Sequence, residues 1–214
     1  MKRKMSNLIL EIKDVSHSYD DKETTLSNIN LEVDQGEKVS ILGPSGSGKT
    51  TLLRLIAGLE RPKSGSINLQ GAVVSTKNFI LAPEKRNLGL VVQEKALFPH
   101  LTVKENITFG IRKEKGKNDT ALDLCSLFKI NHLADKYPHE ISGGEQQRTA
   151  LARSMAPNPE ILLLDEPFSA LDQELKEELY TELSHIFKER EQSILLVTHD
   201  LKEAEILSNR KINI

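Results

Sequence analysis

The feature of this sequence that most constrains its fold is a glycine-rich loop between two apolar segments. Its residues are Gly43, Pro44, Ser45, Gly46, Ser47, Gly48, Lys49 and Thr50, which match the pattern G-x-x-x-x-G-K-[ST]. The segment before the loop, residues 38–42, is predicted to be a strand. The segment after it is predicted to be a helix from about Lys49 to Ala57 that ends near Gly58. Strand, loop and helix in this order predict a phosphate-binding turn in an α/β fold.

The physical chemistry of this loop predicts which atoms would hold a phosphate. Glycines allow a tight turn whose backbone N–H groups point at an anion, and the following helix N-terminus adds positive partial charge. Lys49 is therefore predicted to reach the β- and γ-phosphates, and the Thr50 hydroxyl to bind Mg²⁺, so ATP and Mg²⁺ are the expected cofactors. The alternative is an ordinary glycine-rich turn, which the flanking strand and helix disfavour.

The rest of the chain alternates predicted strands and helices. Residues 161–164 and 194–197 are continuous apolar runs, typical of strands covered on both faces, and a helix is predicted between them over about 173–190. Residues 8–12 and 29–33 partly alternate apolar and polar, and about 102–155 is mostly helical in pattern. We therefore predict an α/β fold: a core with a mostly parallel sheet, an antiparallel β subdomain, and a helical lobe inserted at about 94–158. Residues 1–214 are expected to form a single domain.

Composition narrows the partners and the compartment. The formal net charge of -2 gives no basic surface for nucleic acid. The single cysteine, Cys125, excludes an intrachain disulfide, fits a reducing compartment, and is predicted to be a small buried hydrophobe. The chain lacks the apolar run of about 20 residues needed to cross a bilayer, so any membrane role is expected to act through a partner.

A pair of carboxylates follows one of the buried strands. Asp165 and Glu166 end the apolar run 161–164. We expect this strand to lie beside the phosphate loop, with Asp165 near Mg²⁺, through a water, and Glu166 facing the γ-phosphate as a general base. A strand that simply ends in solvent is the alternative; the carboxylates become informative because the phosphate loop lies upstream.

A second glycine-bearing segment lies in the part of the chain whose pattern is mostly helical. Residues 141–148, here called the signature segment, contain Ser142, Gly143, Gly144 and Glu145. Ser142 is a good N-cap and Glu145 completes a capping box, so a well-capped helix is the structural alternative. The segment nevertheless resembles the signature sequence of ATP-binding-cassette (ABC) ATPases. Further pieces stand in that family's order: Tyr19, Gln93, residues 97–103, the Ser-Ala-Leu-Asp of 169–172, and His199. The resemblance covers about residues 8–210.

This resemblance implies a head-to-tail dimer with two ATP molecules between the protomers. Ser142, Gly143, Gly144 and Glu145 would contact the γ-phosphate of ATP held by the partner. Tyr19 would stack on adenine, Thr51 would complete the loop's contacts, and Gln93 would touch Mg²⁺ or the lytic water and sense the transport partner. His199 would organise Glu166, and Asp172 would communicate across the dimer. The catalytic residues implied are therefore Glu166, His199, Gln93 and Lys49.

The stretch 83–110 resembles the ATPases of bacterial importers for ferric ion, polyamines, sulfate, molybdate or sugars. That resemblance implies integral-membrane permease subunits docking near Gln93–Val103, a solute-binding protein acting indirectly, and a peripheral location on the cytoplasmic face of the inner membrane. Those importers often add a C-terminal regulatory β-domain, which is not expected here because the sequence stops in what reads as an early strand at 210–214.

Two other classes remain as alternatives. A soluble ABC ATPase of DNA repair would need long coiled coils between the phosphate loop and the signature segment, and a translation factor would need two cassettes; this chain has neither pattern. A nucleotide kinase would share the phosphate loop but would not explain residues 142–148.

Overall fold

The computed structural model describes residues 7–20, 25–92, 97–111, 117–169, 171 and 173–214. Within these ranges the chain forms one antiparallel and one parallel sheet. The antiparallel strands are β1 (Leu8–His17), β2 (Leu26–Asp34), β4 (Ser64–Leu69) and β5 (Ala72–Thr76), in the spatial order β2-β1-β4-β5. The parallel strands are β3 (Lys38–Leu42), β6 (Leu88–Val91), β7 (Ile161–Asp165), β8 (Ser193–Val197) and β9 (Arg210–Asn213), in the order β6-β7-β8-β3-β9. The predicted α/β class with both kinds of sheet is confirmed.

The strand order determines how β7 reaches the phosphate loop. β7, which carries Asp165 at its end, is not the neighbour of β3, because β8 lies between them. The strands are parallel, so their carboxyl ends still meet at one edge of the sheet, where the phosphate loop follows β3.

Helices flank both sheets within the described residues. They are α1 (Lys49–Ala57), α2 (Val103–Thr108), α3 (Lys117–Leu127), α4 (Gly143–Met155), α5 (Gln173–Glu189) and α6 (Leu201–Leu207), with 3₁₀ turns at Pro83–Lys85, Asn131–Leu133 and Pro138–Glu140. The predicted bounds of α1 agree with the structure, and those of α5 differ by one residue. Strand β5 and helix α6 were not predicted.

Helix α1 is fixed at both ends by glycine. Gly48 is its N-cap and Gly58 its C-cap, with φ angles of 92° and 82°, in the left-handed region that glycine adopts at little cost. Between them Leu52, Leu53 and Ile56 are among the side chains buried against the sheet. The loop that precedes α1 is therefore carried on a firmly packed helix.

The parallel sheet separates two apolar cores because successive side chains of a strand point to opposite faces. Leu162 and Leu164 face a cluster that includes α2, α3, α4 and α5. Ile161 and Leu163 face a second cluster built with α1 and the antiparallel sheet. Cys125 lies fully buried in the first cluster, which confirms the predicted role as a small hydrophobe. No helix in the described ranges combines the length and apolar character needed to span a membrane.

Candidate functional site

The phosphate loop has the geometry that its glycines predict. Gly46 and Gly48 have φ angles of 84° and 92°. A Cβ on Gly48 would lie 2.7 Å from Leu26 Cδ2 and 2.9 Å from the Thr25 carbonyl oxygen, whereas a Cβ on Gly46 would meet nothing within 4 Å. Gly48 is therefore required by both conformation and space, and Gly46 leaves the outer side of the loop open to a ligand.

The chemistry of the loop fits an anion. In the described structure, α1 has no side-chain hydrogen bond at its N-cap and no acidic residue in its first turn, so its first N–H groups are not capped by a side chain. Lys49 is only 5% exposed, and its Nζ donates to the carbonyls of Gly43 at 2.8 Å and Pro44 at 2.7 Å. A loop that offers an ammonium and the uncapped N–H groups of a helix N-terminus is a donor set suited to a polyphosphate.

Thr50 and Asp165 bring the loop and β7 together. Thr50 Oγ1 donates to Asp165 Oδ1 at 3.0 Å, although the two residues are far apart in sequence. Asp165 is 5% exposed, and burial raises its pKa, with the Glu166 charge adding to the shift and the Thr50 hydrogen bond opposing it. A hydroxyl beside a buried carboxylate fits Mg²⁺, which proteins hold with one or two carboxylates plus substrate phosphates. The described parts of the chain contain no group of three or more His, Cys, Asp or Glu residues that could hold a metal ion.

Glu166 and His199 face each other at the same edge of the sheet. His199 Nδ1 lies 3.3 Å from Glu166 Oε2. Glu166 has a φ of 44°, and its amide donates to the Val197 carbonyl at 2.9 Å, which locks the residue to β8. Ser169 Oγ donates to the Glu166 carbonyl at 3.1 Å and closes the turn. The predicted base and its predicted organiser are therefore in contact, at a position the backbone holds despite strain.

A cleft of about 300 Å³ joins the loop to Glu166. Its lining residues are Thr25, Ser45, Gly46, Gly48, Lys49, Thr50, Thr51 and Glu166. Thr25 was missed by sequence reasoning, because it precedes an ordinary strand and no motif marks it. The volume lies at the lower end of the range for ligand pockets, and the cleft is partly open to solvent.

Tyr19 presents an aromatic ring beside α1. Its side chain is 62% exposed, and its hydroxyl lies 3.2 Å from Thr51 Oγ1. The His17 ring meets the Tyr19 ring edge-on, with centroids 5.0 Å apart and planes at 89°. His17 is in turn held through Nδ1 by the Arg61 carbonyl at 2.9 Å. The ring of Tyr19 is thus oriented and accessible to a base, and the supporting role of His17 had no sequence signal.

The signature segment forms the predicted helix start. Ser142 Oγ accepts from the Glu145 amide at 3.4 Å, and the Ser142 amide donates to Glu145 Oε2 at 2.7 Å. The capping box is therefore confirmed. The hydrogen bonds that the Ser142 hydroxyl and amide donate to the Glu145 carboxylate lower the pKa of Glu145. Ser142 is exposed, whereas a Cβ on Gly144 would lie 2.3 Å from Leu175 Cδ2, so this glycine lets α4 approach α5.

The structure thus gathers Tyr19, Lys49, Thr50, Asp165, Glu166 and His199 around the loop. Among the described residues, the hydrogen bonds of residues 142–145 lie within α4 and its N-cap, not with the loop. Gln93 and Asp172 lie outside the described residues.

Comparison with known proteins decides the family. The family model described as ABC transporter matches residues 26–169, which is more than half of the chain. The chain belongs to the ABC transporter family.

Curated relatives of this ABC family member are import proteins. It is 43% identical over 208 residues to the Fe(3+) ions import ATP-binding protein FbpC 2 of Haemophilus influenzae, covering 95% of this chain and 58% of that protein. It is 43% identical over 208 residues to the spermidine/putrescine import ATP-binding protein PotA of Oleidesulfovibrio alaskensis, covering 95% of this chain and 54% of that protein. The ABC chain thus spans little more than half the length of these two relatives.

A solved ABC structure gives a closer match in length. It is described as the dimeric, post-hydrolysis state of an ATP-binding cassette bound to ADP and Pi. The TM-score is 0.83 at 33% identity, and the match covers 96% of this chain and 94% of that one. The ABC fold is therefore shared over nearly the whole cassette.

Proposed function

We propose that this chain is the ATP-binding subunit of an ABC importer, which binds and hydrolyses ATP at the interface of a head-to-tail dimer. The observation that carries the proposal is a continuous line of contacts at one edge of the sheet. Thr50 of the phosphate loop bonds to Asp165, and the next residue, Glu166, faces His199. Phosphate binding, cation binding and proton transfer would then take place in one cleft.

Each side chain has a role that its geometry supports. The loop amides and Lys49 would hold the β- and γ-phosphates. Thr50 and Asp165 would hold Mg²⁺, which supplies neutralising charge to the phosphate oxygens. Glu166 Oε2 would accept a proton from the attacking water, and His199 would hold the Glu166 carboxylate in place. Tyr19 would stack on the adenine.

The open side of the cleft supports a dimer. Lys49, Thr50 and Glu166 line the cleft, which is partly open to solvent among the described residues. The exposed N-terminus of α4, with Ser142 as its cap, would supply amides to the γ-phosphate from the partner protomer. A cassette of the same fold that is described as dimeric and bound to ADP and Pi supports a dimeric assembly for this chain.

An exposed aromatic cluster supports docking of a membrane subunit. Phe98 and Phe109 pack at 4.3 Å between ring centroids, and Phe109 is 61% exposed. Arg153 lies 5.1 Å from the centre of the Phe98 ring. Residues 97–103 belong to the predicted docking region, and residues 93–96 of that region lie outside the described residues. Exposed aromatic groups are typical of interface anchors, so we propose that the permease subunit binds here. A chain bound to the permease in this way would lie on the cytoplasmic face of the inner membrane.

The substitution Glu166→Gln tests the hydrolytic site. The amide keeps the size of the side chain but cannot accept the proton, so turnover should fall by about 100-fold or more. ATP binding should persist, and the protein should elute as a dimer in ATP and Mg²⁺. Glu189→Gln, an exposed change at the end of α5, serves as the control and should keep wild-type turnover. Turnover of Glu166→Gln near the wild-type rate would show that another group is the base.

A further inference from the structure

The turn that carries His199 is held by a buried network that the proposed mechanism does not use. The path of β8 continues one residue beyond its end, because the Thr198 amide donates to the Ile41 carbonyl at 3.2 Å. His199 and Asp200 then leave the sheet to start α6. The His199 side chain is 62% exposed, so its position against Glu166 depends more on this turn than on packing around the ring.

The Thr198 hydroxyl accepts one hydrogen bond and donates another. The Asp200 amide donates to Thr198 Oγ1 at 3.0 Å. The hydroxyl in turn donates to Glu203 Oε2 at 2.8 Å. Thr198 is 1% exposed and Glu203 is 3% exposed. The backbone of the turn is therefore tied to an acidic side chain inside α6.

Packing alone does not explain an acidic residue at this position. The buried residues of α6 are Glu203, Ala204 and Leu207, so an apolar side chain at 203 would extend the apolar face. Glu203 Oε1 has no hydrogen-bond partner among the described residues. An unsatisfied buried polar atom costs about 1–3 kcal/mol, and an apolar residue at this position would not carry that cost.

Titratable groups from three other parts of the chain act on Glu203. Helix α5 contributes Lys176 and Tyr180, the end of β7 contributes Glu166, and the turn contributes Asp200. Burial, reinforced by the Asp200 and Glu166 carboxylates, raises the pKa of Glu203 to about 8, although its hydrogen bond from Thr198 acts in the opposite direction. The carboxyl is therefore mostly neutral at pH 7 and places little extra negative charge behind Glu166.

We propose that Glu203 is a positioning residue for ATP hydrolysis, which fixes the turn holding His199 against Glu166 through the Thr198 hydroxyl. The inference rests on the proposed function, since it concerns the same hydrolytic site. Glu203 acts through Thr198 and not through contact with nucleotide, so it should affect turnover and not ATP affinity. A displacement of about 1 Å in a reacting group can lower a rate by about 100-fold, so a looser turn should have a measurable effect.

The test compares ATP turnover and ATP affinity in four variants of the whole chain. Thr198→Val removes the linking hydroxyl while keeping its shape, and Glu203→Ala removes the anchor. Both should lower kcat by about tenfold and leave the Kd for ATP within about twofold. Glu203→Gln keeps an oxygen that can accept from Thr198 and should retain most of the turnover. Thr108→Val is the matched control: this buried threonine of α2 donates to the Lys104 carbonyl at 3.0 Å, far along the chain from the turn.

A pH profile separates positioning from a general loss of stability. Wild-type kcat should fall above about pH 8, where Glu203 ionises beside Glu166. The Glu203→Gln variant should lack this alkaline decline. The inference is overturned if Thr198→Val and Glu203→Ala match the Thr108→Val control, if their ATP affinity falls as steeply as kcat, or if the alkaline decline persists in Glu203→Gln. A wild-type chain that binds ATP but never hydrolyses it would instead overturn the proposed function, and this inference with it.

Discussion

A buried arginine between α1 and the antiparallel sheet gives the sharpest prediction about stability. Arg86 is 4% exposed and makes five hydrogen bonds to neutral acceptors within the described part of the chain. Its acceptors are the carbonyls of Leu81 at 2.8 Å, Leu55 at 3.3 Å, Ile56 at 2.7 Å and Val74 at 3.0 Å, and the hydroxyl of Ser75 at 2.8 Å. Two of these carbonyls belong to the last turn of α1, so Arg86 also sits at the negative end of the helix that carries the phosphate loop.

The expected loss follows from these contacts. Hydrogen bonds to a charged group contribute about 1.5–3 kcal/mol each, so five contribute roughly 10 kcal/mol. Transferring the guanidinium from water to the protein interior offsets several kcal/mol of this stabilisation. The same burial lowers the pKa of Arg86 to about 10. Arg86→Met would remove all five hydrogen bonds and leave the Leu81 and Ile56 carbonyls without a donor, whereas the other two carbonyls also accept from backbone amides. We therefore expect the free energy of unfolding to fall by about 3–5 kcal/mol. For a chain of this size that corresponds to a drop in Tm of about 6–20 °C.

Urea titration followed by circular dichroism measures the effect, with Arg54→Met as the control. Arg54 lies on the same helix and pairs with Glu60 at 3.1 Å on the surface, where such a pair contributes about 0–1 kcal/mol. Arg86→Lys should fall between the two, because one ammonium cannot reach acceptors on several elements. A loss for Arg86→Met within about 1 kcal/mol of the Arg54 control would refute the claim that these hydrogen bonds hold α1 to the sheet.

Three further predictions test the partner contact, the backbone and the buried acid. Ser142→Arg should abolish turnover while nucleotide binding by one protomer persists, which equilibrium dialysis with ATP can check; loss of binding would point to misfolding instead. Gly71 has a φ of 76° and open space at Cβ, so Gly71→Ala should lower the free energy of unfolding by about 1 kcal/mol. Gly65→Ala should lower it clearly more in the same urea titration, because the new Cβ would lie 2.3 Å from the Lys13 carbonyl oxygen. Equal losses would contradict the steric argument. The pKa of Glu203 is about 8 in the folded chain and near 4.3 when the chain is unfolded. Folding therefore requires this carboxylate to take up a proton, and the free energy of unfolding falls as pH rises from about 4.3 to about 8. The Tm of Glu203→Gln relative to wild type should therefore increase from pH 5 to 8 and then level off, and a constant difference would refute it.

Local patterns predicted the elements that carry the site. The bounds of α1 followed from the loop motif and Gly58, and the cap of α4 followed from Ser142 and Glu145. The fully buried strands β7 and β8 followed from their unbroken apolar runs. In each of these elements the local preference and the tertiary environment agree.

The elements that were missed had weaker or unread signals. The turn between β4 and β5 contains Gln70 and Gly71, both with positive φ, but glutamine is not a typical residue at such a position. Helix α6 did have a signal, since Asp200 caps it by accepting from the amides of Lys202 and Glu203. The place of β8 between β7 and β3 depends on long-range pairing that no local pattern encodes.

The supporting residues of the site could not be predicted at all. Arg86, Thr198 and His17 act through acceptors or rings that lie elsewhere in the chain or around a turn, and their own neighbourhoods in sequence are unremarkable. Their contributions follow only from three-dimensional proximity. Lys49 and Asp165 could be predicted because each belongs to a local pattern, the glycine-rich loop or the end of an apolar strand, that indicates phosphate or cation binding.

The backbone conformation of Glu166 has a consequence for attempts to increase the stability of the protein. Its φ of 44° is one that glycine adopts freely and a glutamate adopts at a cost of about 1–2 kcal/mol. A library selected only for heat resistance or expression yield would therefore favour glycine at this position and accumulate inert proteins. Directed evolution of this cassette needs a turnover screen at every round, because the residue that strains the chain is also the one we assign to its chemistry.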